Sequence, residues 1–153
     1  MDEKQKEFFM NEAYKEALKA YKKDEVPVGA VVVLDGMIIA RAHNNREKKQ
    51  LIEGHAEFLA MKKAAKKIGS WRLEDTSVFV TMEPCPMCGG AMIQSRVKNC
   101  YFATYDLKNG VSNSIIEMFE LPFNHKVNCE YVDDGGKSSQ LLKEFFKKLR
   151  RKK

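Results

Sequence analysis

The chain has 153 residues, of which 44% are hydrophobic and 31% are charged, with a formal net charge of +6. That length fits one domain, and no stretch approaches the roughly 20 apolar residues that a membrane-spanning helix requires, which excludes a protein anchored by such a helix. The charged N-terminus, MDEKQKEFFM, has no apolar segment of signal-peptide length, so we expect a cytoplasmic protein.

The first third of the chain predicts a helix followed by a β-hairpin. Apolar residues recur at spacings of three and four from about Lys4 to Lys22, the pattern of an amphipathic helix. Two runs rich in β-branched residues follow, Gly29 to Leu34 and Met37 to Ala42. Asp35-Gly36 joins them, and an Asp-Gly pair between such runs is a strong hairpin signal. We therefore expect the sheet to begin antiparallel.

The rest of the chain predicts alternating helices and strands. Past a polar loop, His43 to Glu53, the predicted elements are a helix from about His55 to Ile68 ended by Gly69, a strand from Ser77 to Met82, a helix from Pro84 to about Ser95, a strand from Asn99 to Thr104, a short helix from Ser114 to Glu120, a strand from Lys126 to Val132 and a helix from Ser138 to Arg150. This order implies a single α/β domain over residues 1–153, a three-layer α/β/α sandwich around one mixed five-stranded sheet.

Positive charge is concentrated at the C-terminus, where KEFFKKLRRKK at 143–153 carries seven Lys and Arg residues. An excess of positive charge favours polyanionic partners, nucleic acid first among them. A solvated helix face with a basic end is the alternative, and the charge alone does not separate the two. The last predicted helix is therefore one candidate surface for nucleic acid.

Two short motifs carry the candidate chemistry. Gly54-His55-Ala56-Glu57 begins one predicted helix, and Pro84-Cys85-Pro86-Met87-Cys88 begins another. The four cysteines of such a chain are expected to stay reduced, and two cysteines three apart at a helix start are neighbours that the helix dipole favours as thiolates. With His55 they form a donor set that suits zinc and leaves the fourth tetrahedral position open. An open position holds a water whose pKa falls to about 7, the nucleophile of a hydrolytic enzyme.

Glu57 is the candidate proton carrier beside that metal. Residues two apart do not share a face of an ideal helix, so His55 and Glu57 must reach around the helix end to flank the same ion. In that arrangement hydroxide attacks an amidine-like carbon, while Glu57 delivers a proton to the ring nitrogen and then helps ammonia to leave. His-x-Glu with Pro-Cys-x-x-Cys is the general signature of zinc nucleobase deaminases.

Several plainer interpretations stay open at this point. The Cys-x-x-Cys pair could be a redox pair or half of a structural zinc site completed by Cys100 and Cys129, although both of these lie in predicted strands and are typical of small buried residues. Glu57 could be one more acid in a first helical turn. A zinc module that binds RNA without catalysis would use the same three ligands but would have no need of Glu57.

Beyond the two motifs, the chain resembles the bacterial tRNA-specific adenosine deaminases. The similar segments are VPVGAV at 26–31, ARAHNNRE at 40–47, HAE at 55–57, SWRLEDTSVFVTMEPCPMCGGAM at 70–92, SRV at 95–97, FNHKV at 123–127 and LLKEFFKKLR at 141–150. The resemblance implies a cytidine-deaminase-like fold, one Zn²⁺ per subunit, a homodimer, and conversion of adenosine to inosine at the wobble position of a tRNA anticodon loop. A guanine or cytosine deaminase acting on a small-molecule base is the alternative, and it would have no need of the basic helix from about residue 138.

The resemblance also implies roles for individual residues. Asn44 is expected to hydrogen-bond the bound nucleoside, the backbone near Ala56 to touch the base, and Asp106 to lie at the pocket rim near the target ribose or its neighbour. The candidate RNA contacts are Asn124, His125, Phe145, Lys147, Lys148 and Arg150. Periodicity alone would place the phenylalanines of the last helix in the core, so we expect at least one of them to be buried.

Three positions depart from the family pattern. Gly54 stands where an alanine usually precedes the histidine, and Gly89-Gly90 replaces the usual Ala-Gly. Both changes should be tolerated at a helix start. Asn113 stands where glycine is usual, which leaves the conformation of the loop at 107–114 open.

Overall fold

The computed structural model describes residues 1–152, and its elements follow the predicted order closely. They are α1 (Glu3–Lys22), β1 (Gly29–Leu34), β2 (Met37–His43), α2 (Arg46–Lys49), α3 (Ala56–Ile68), β3 (Ser77–Val80), α4 (Pro86–Gln94), β4 (Asn99–Phe102), a 3₁₀ helix (Met118–Glu120), β5 (Asn128–Tyr131) and α5 (Lys137–Arg151). Lys153, the last residue of the predicted basic segment, lies outside the described residues.

The five strands of this part of the chain form one mixed sheet in the order β2-β1-β3-β4-β5. β1 runs antiparallel to both β2 and β3, whereas β3, β4 and β5 are mutually parallel. The antiparallel start confirms the hairpin prediction. Parallel pairing of the last three strands requires crossover connections, and α4 supplies the first of them, between β3 and β4.

The two faces of the sheet are covered by different helices. On β1, Val31 and Val33 pack in a core with α1, while Ala30 and Val32 pack in the larger core that includes α3 and α4. This alternation follows from the period of two along a strand. α5 lies beside α1, where the rings of Tyr21 and Phe145 approach edge to face. The predicted three-layer α/β/α arrangement is confirmed.

Two local predictions differ from the structure. The polar loop before α3 contains a short helix, α2, that the sequence pattern did not indicate. The predicted helix from Ser114 to Glu120 is wrong, since only Met118–Glu120 is helical, as 3₁₀. The backbone N–H groups at 112–114 donate to the carboxylate of Glu83 instead, so the chain turns around that side chain.

The departures at glycine positions have a steric explanation. A Cβ atom added to Gly54 would collide with the backbone of Arg46, so glycine allows α2 to pack against the start of α3. A Cβ atom at Gly89 would press on Val111. Asn113 is not among the residues in positions 1–152 that have positive φ, so asparagine replaces glycine there without backbone strain. No helix of residues 1–152 is long and apolar enough to cross a membrane.

Candidate metal centre and active site

His55 and Cys85 occupy the same place in two different helices. Each is the residue directly before the first helical turn and has extended backbone, with φ −87° and ψ 143° for His55 and φ −84° and ψ 174° for Cys85. Pro86 follows at the first position of α4, and Cys88 lies in the same turn. The N-terminal ends of α3 and α4, both positive ends of helix dipoles, therefore meet at one point.

The three predicted ligands come together there. His55 Nδ1 lies 3.5 Å from Cys85 Sγ and 3.6 Å from Cys88 Sγ, and the three donor atoms lie within 4.8 Å of one another. Around a tetrahedral zinc ion, nitrogen and sulfur ligands would lie about 3.5 Å apart, given Zn–N near 2.05 Å and Zn–S near 2.3 Å. The donor set thus fits one metal ion of this size and softness.

Cys100 and Cys129 do not belong to this cluster. They are register partners on the neighbouring strands β4 and β5, and Cys100 is fully buried in the core. Within the described chain the only group of possible metal ligands is His55, Cys85 and Cys88. A four-cysteine site therefore has no support in the fold.

Hydrogen bonding within the cluster favours a thiolate. A hydrogen bond from Cys88, together with one from His55, lowers the pKa of Cys85 to about 4. The same contact with Cys85 raises the pKa of Cys88, and it also raises the pKa of His55. The Cys85 thiolate thus accepts hydrogen bonds from the Cys88 thiol and from the His55 ring. A metal cation can displace these two protons, because metal ligands bind in their deprotonated form.

Glu57 lies beside this cluster and is almost fully buried, with 4% of its surface exposed. Burial raises its pKa to about 7, although the nearby His55 opposes the shift. His55 precedes α3 in extended backbone, so the rule that residues two apart diverge on a helix does not apply to the pair. A carboxyl group with a pKa near neutrality can both accept and donate a proton at the working pH.

Asn44 and Ala56 are joined by a hydrogen bond. Asn44 Oδ1 accepts from the backbone N–H of Ala56 at 2.7 Å, which occupies one of the unpaired donors at the start of α3. Asn44 lines the cleft described below, and its Nδ2 group donates no hydrogen bond within residues 1–152. Ala56 itself is fully buried. The polar group offered to a ligand at this point is therefore the amide of Asn44.

A cleft of about 1050 Å³ opens over the metal ligands. Its walls come from α2, from the segment after β4 and from α5, which contributes Lys143, Phe146 and Arg150. The sequence motifs did not indicate several other lining residues, which are Glu25, Met82, Glu83, Tyr105 and Leu149. Buried acids outside a motif give no periodic signal, so Glu25 and Glu83 are visible only in the fold.

Comparison with known proteins agrees with this geometry. The family model of the MafB19-like deaminases matches residues 3–150. The chain belongs to this deaminase family. The tRNA-specific adenosine deaminase of Bacillus subtilis (strain 168) is 46% identical over 150 residues, which are 97% of this chain and 93% of that protein.

Two solved structures are similar to this chain in fold. A chain from a study of A-to-I editing by tRNA:A34 deaminases at the wobble position of transfer RNA is 36% identical, with a TM-score of 0.78, and covers 81% of this chain and 96% of that one. The guanine deaminase of Nitrosomonas europaea is 22% identical, with a TM-score of 0.75 over 91% of this chain and 83% of that one. The second likeness shows the fold alone.

The predicted RNA contacts on α5 of the deaminase differ in their exposure. Phe145 is buried, with 8% of its surface exposed, and packs against Tyr21. Its neighbour Phe146 is 38% exposed and lines the cleft, as does Arg150. Lys148 lies over the ring of Tyr21 at 4.8 Å, and Lys147 is exposed. The aromatic side chain available to a ligand is thus Phe146 rather than the predicted Phe145.

Two further predicted contacts lie on the segment before β5. Asn124 is exposed, and His125 Nε2 is within 2.6 Å of the carbonyl oxygen of Val97. That hydrogen bond anchors the segment to the chain just after α4. Neither Asn124 nor His125 lines the cleft of the described chain.

Asp106 lines the deaminase cleft. Its side chain accepts hydrogen bonds from the backbone N–H groups of Lys108 at 3.2 Å and Asn109 at 3.1 Å, which closes a short turn. Its own N–H donates to Glu83. The predicted role of Asp106 near the target ribose or its neighbour stays a prediction.

Proposed function

We propose that residues 1–153 form one zinc-dependent deaminase domain that converts adenosine to inosine at the wobble position of a tRNA anticodon and releases ammonia. The observation that carries the proposal is the convergence of His55, Cys85 and Cys88 beside the buried acid Glu57, at the bottom of a cleft bordered by the basic helix α5. The 46% identity to a tRNA-specific adenosine deaminase supports the substrate.

One Zn²⁺ per subunit would be held by His55, Cys85 and Cys88, and when bound it supplies a water molecule acidified to a pKa near 7. The water oxygen adds to the amino-bearing carbon while Glu57 carries one of its protons to the neighbouring ring nitrogen. Glu57 then carries the proton left on that oxygen to the amino group, so that the C–N bond breaks, ammonia leaves and the new C–O bond becomes the carbonyl of inosine. The pKa of about 7 suits both transfers, because the carboxyl group is then easily protonated and deprotonated.

The remaining site residues hold the base in position. Asn44 is fixed by its bond to Ala56, so its free Nδ2 group can donate to an acceptor on the purine without losing side-chain entropy on binding. Asp106, which lines the cleft, is proposed to contact the ribose of the target nucleoside or of its neighbour. An adenosine inside a stacked loop must be splayed out to enter such a cleft.

The basic α5 argues for RNA over a small-molecule base. Lys143 and Arg150 line the cleft together with the exposed ring of Phe146, a combination of cations and an aromatic surface that is typical of single-stranded nucleic-acid contacts. A guanine or cytosine deaminase needs no such wall. Lys147, Lys148, Asn124 and His125 stay proposed RNA contacts outside the cleft.

Two further properties are part of the proposal. The homodimer rests on the resemblance to the bacterial tRNA-specific adenosine deaminases. A cytoplasmic location accords with a tRNA-editing enzyme, since tRNA is decoded in the cytoplasm. Sedimentation equilibrium of the purified protein tests the dimer directly.

Incubation with total tRNA, followed by mapping of inosine, tests the function. We expect inosine only at position 34 of an adenosine-bearing anticodon, and ammonia release in equal amount. Free guanine, cytosine and adenosine serve as competing substrates in the same assay. Turnover of free guanine without any on tRNA would contradict the proposal and favour the small-base enzyme.

A further inference from the structure

Glu83 is a buried acid that the proposed chemistry does not use. It follows β3, precedes Pro84-Cys85 directly, and has 3% of its surface exposed. All of its hydrogen-bond partners within residues 1–152 are uncharged donors. Burying a carboxylate without a cation partner costs free energy of folding unless several hydrogen-bond donors surround it.

Five donors surround the two carboxylate oxygens. Oε2 accepts from the backbone N–H groups of Ser112 at 2.9 Å, Asn113 at 3.0 Å and Ser114 at 3.2 Å. Oε1 accepts from the N–H of Asp106 at 3.0 Å and from the hydroxyl of Ser114. Successive backbone N–H groups that converge on an anion form a nest, and here the anion is part of the protein itself.

Gly110 completes the enclosure. A Cβ atom at this position would collide with the carboxyl group of Glu83. Gly110 is not among the glycines with positive φ, so its requirement is close approach and not backbone conformation. The loop at 106–114 therefore closes on the carboxylate and takes its shape from it.

This loop forms one wall of the cleft. Asp106 and Leu107 of this loop line the cleft. Glu83 is two residues from Cys85 in the chain. Two backbone hydrogen bonds, Glu83 N–H to Thr104 O at 2.8 Å and Val111 N–H to Pro84 O at 3.0 Å, join the segment of Glu83 to the segment that carries the loop. One side chain thus links the rim of the cleft to the turn that carries a metal ligand.

We propose that Glu83 is a positioning residue that holds Asp106 and the loop at 106–114 at a fixed position relative to the metal ligands. Its effect on turnover depends on the proposed function, but its effect on the loop does not. The requirement is for an acceptor at both oxygens. A glutamine would present an amide NH₂ group to at least one of the five donors and leave that donor unpaired.

Hydrogen exchange of Glu83→Gln tests the loop without any substrate. We expect the amides of Ser112, Asn113 and Ser114, or that of Asp106 where the new NH₂ group takes the place of Oε1, to exchange about tenfold to a hundredfold faster than in the wild type, the effect of losing one hydrogen bond to a charged group. The matched control is Glu25→Gln. Glu25 is equally buried but accepts from the N–H groups of Glu47 and Lys48 in α2, so loss of its carboxylate should release those two amides alone.

A second variant covers the case in which Glu83→Gln does not fold. Gly110→Ala keeps the carboxylate but displaces it, and should release the same amides at 112–114. Unchanged exchange at these amides and at that of Asp106 in whichever variant folds would overturn the proposal.

A double-mutant cycle with Asp106→Ala links the loop to turnover. If Glu83 acts through Asp106, the kcat/KM of Glu83→Gln/Asp106→Ala on tRNA should equal that of Asp106→Ala alone. Additive losses would contradict the positioning role while leaving the deaminase function intact. If the wild-type protein were inactive on every tRNA while Glu83→Gln still exchanged faster, the proposed function would be contradicted and the loop anchor would stand.

Discussion

Asn44 Oδ1 accepts a hydrogen bond from the backbone N–H of Ala56 at 2.7 Å, and this contact joins the end of β2 to the first turn of α3. The side chain of Asn44, which directly follows β2, therefore caps α3, since His55, at the cap position itself, makes no side-chain cap bond. His55 is left free to turn towards the two cysteines. The cap and the metal ligand are separate residues because one side chain cannot serve both.

Two substitutions of Asn44 separate its structural and binding roles. Asn44→Asp keeps the acceptor for Ala56 but replaces the Nδ2 donor, so we expect stability close to wild type and a loss of kcat/KM of about tenfold to a hundredfold, the effect of one donor. Asn44→Ala loses the cap as well and should cost about 1–2 kcal/mol of stability. Urea denaturation and steady-state kinetics measure the two effects. Full activity in Asn44→Asp would exclude a donor role.

Glu57→Gln should lower turnover strongly and leave metal binding intact. Loss of general acid–base transfer lowers kcat by about 10²–10⁴-fold, whereas His55, Cys85 and Cys88 remain as ligands. Inductively coupled plasma mass spectrometry of the purified variant gives the zinc content beside the kinetic assay. Cys88→Ala is the comparison variant, in which we expect zinc and activity to disappear together. If Glu57→Gln also lost its zinc, Glu57 would be a ligand or a structural support.

The Glu16 carboxylate predicts a pH dependence of stability outside the site. Burial opposes its ionisation, but hydrogen bonds from His43 and Lys19 outweigh burial and lower its pKa to about 2. A lowered pKa stabilises the fold above the unfolded pKa of 4.5 and loses that effect as the pH falls towards 2. The stability difference between wild type and Glu16→Gln should therefore shrink by about 1.4 kcal/mol between pH 7 and about pH 3.5.

Urea denaturation of both proteins across this pH range provides the measurement. Glu7→Gln is the control, because Glu7 is exposed on the same helix. A pH-independent difference for Glu16→Gln would show that the buried ion pair contributes no linkage.

Affinity for tRNA should fall steeply as the salt concentration rises, because Lys and Arg side chains of the bound protein displace counterions from the phosphates. Arg150→Ala removes a charge that lines the cleft and should reduce the slope of log K against log salt by about 1. Lys66→Ala, at the end of α3 and exposed, is the matched control with an unchanged slope. Filter binding at several salt concentrations gives the slopes. If the affinity of the wild type for tRNA did not depend on salt concentration, α5 would not be part of the binding surface.

The local part of the architecture could be predicted from the sequence because short-range patterns encode it. The Asp35-Gly36 turn, the glycine at the end of α3 and the proline at the start of α4 each act within a few residues, and the elements they delimit lie where predicted. The failure at 114–120 has the opposite cause. A side chain about 30 positions earlier takes the N–H groups there, and no local window contains it.

The sequence by itself determined which residues could form the site, since ligand chemistry and helix-start spacing are local properties of His55, Glu57, Cys85 and Cys88. Only the tertiary structure decided that these residues meet. β1 lies between β2 and β3, so the helices that follow β2 and β3 pack in one core with their N-termini together. The same long-range packing decided that Phe146, not Phe145, faces the cleft, because periodicity along a helix gives both an apolar position and only the neighbouring α1 selects which one is buried.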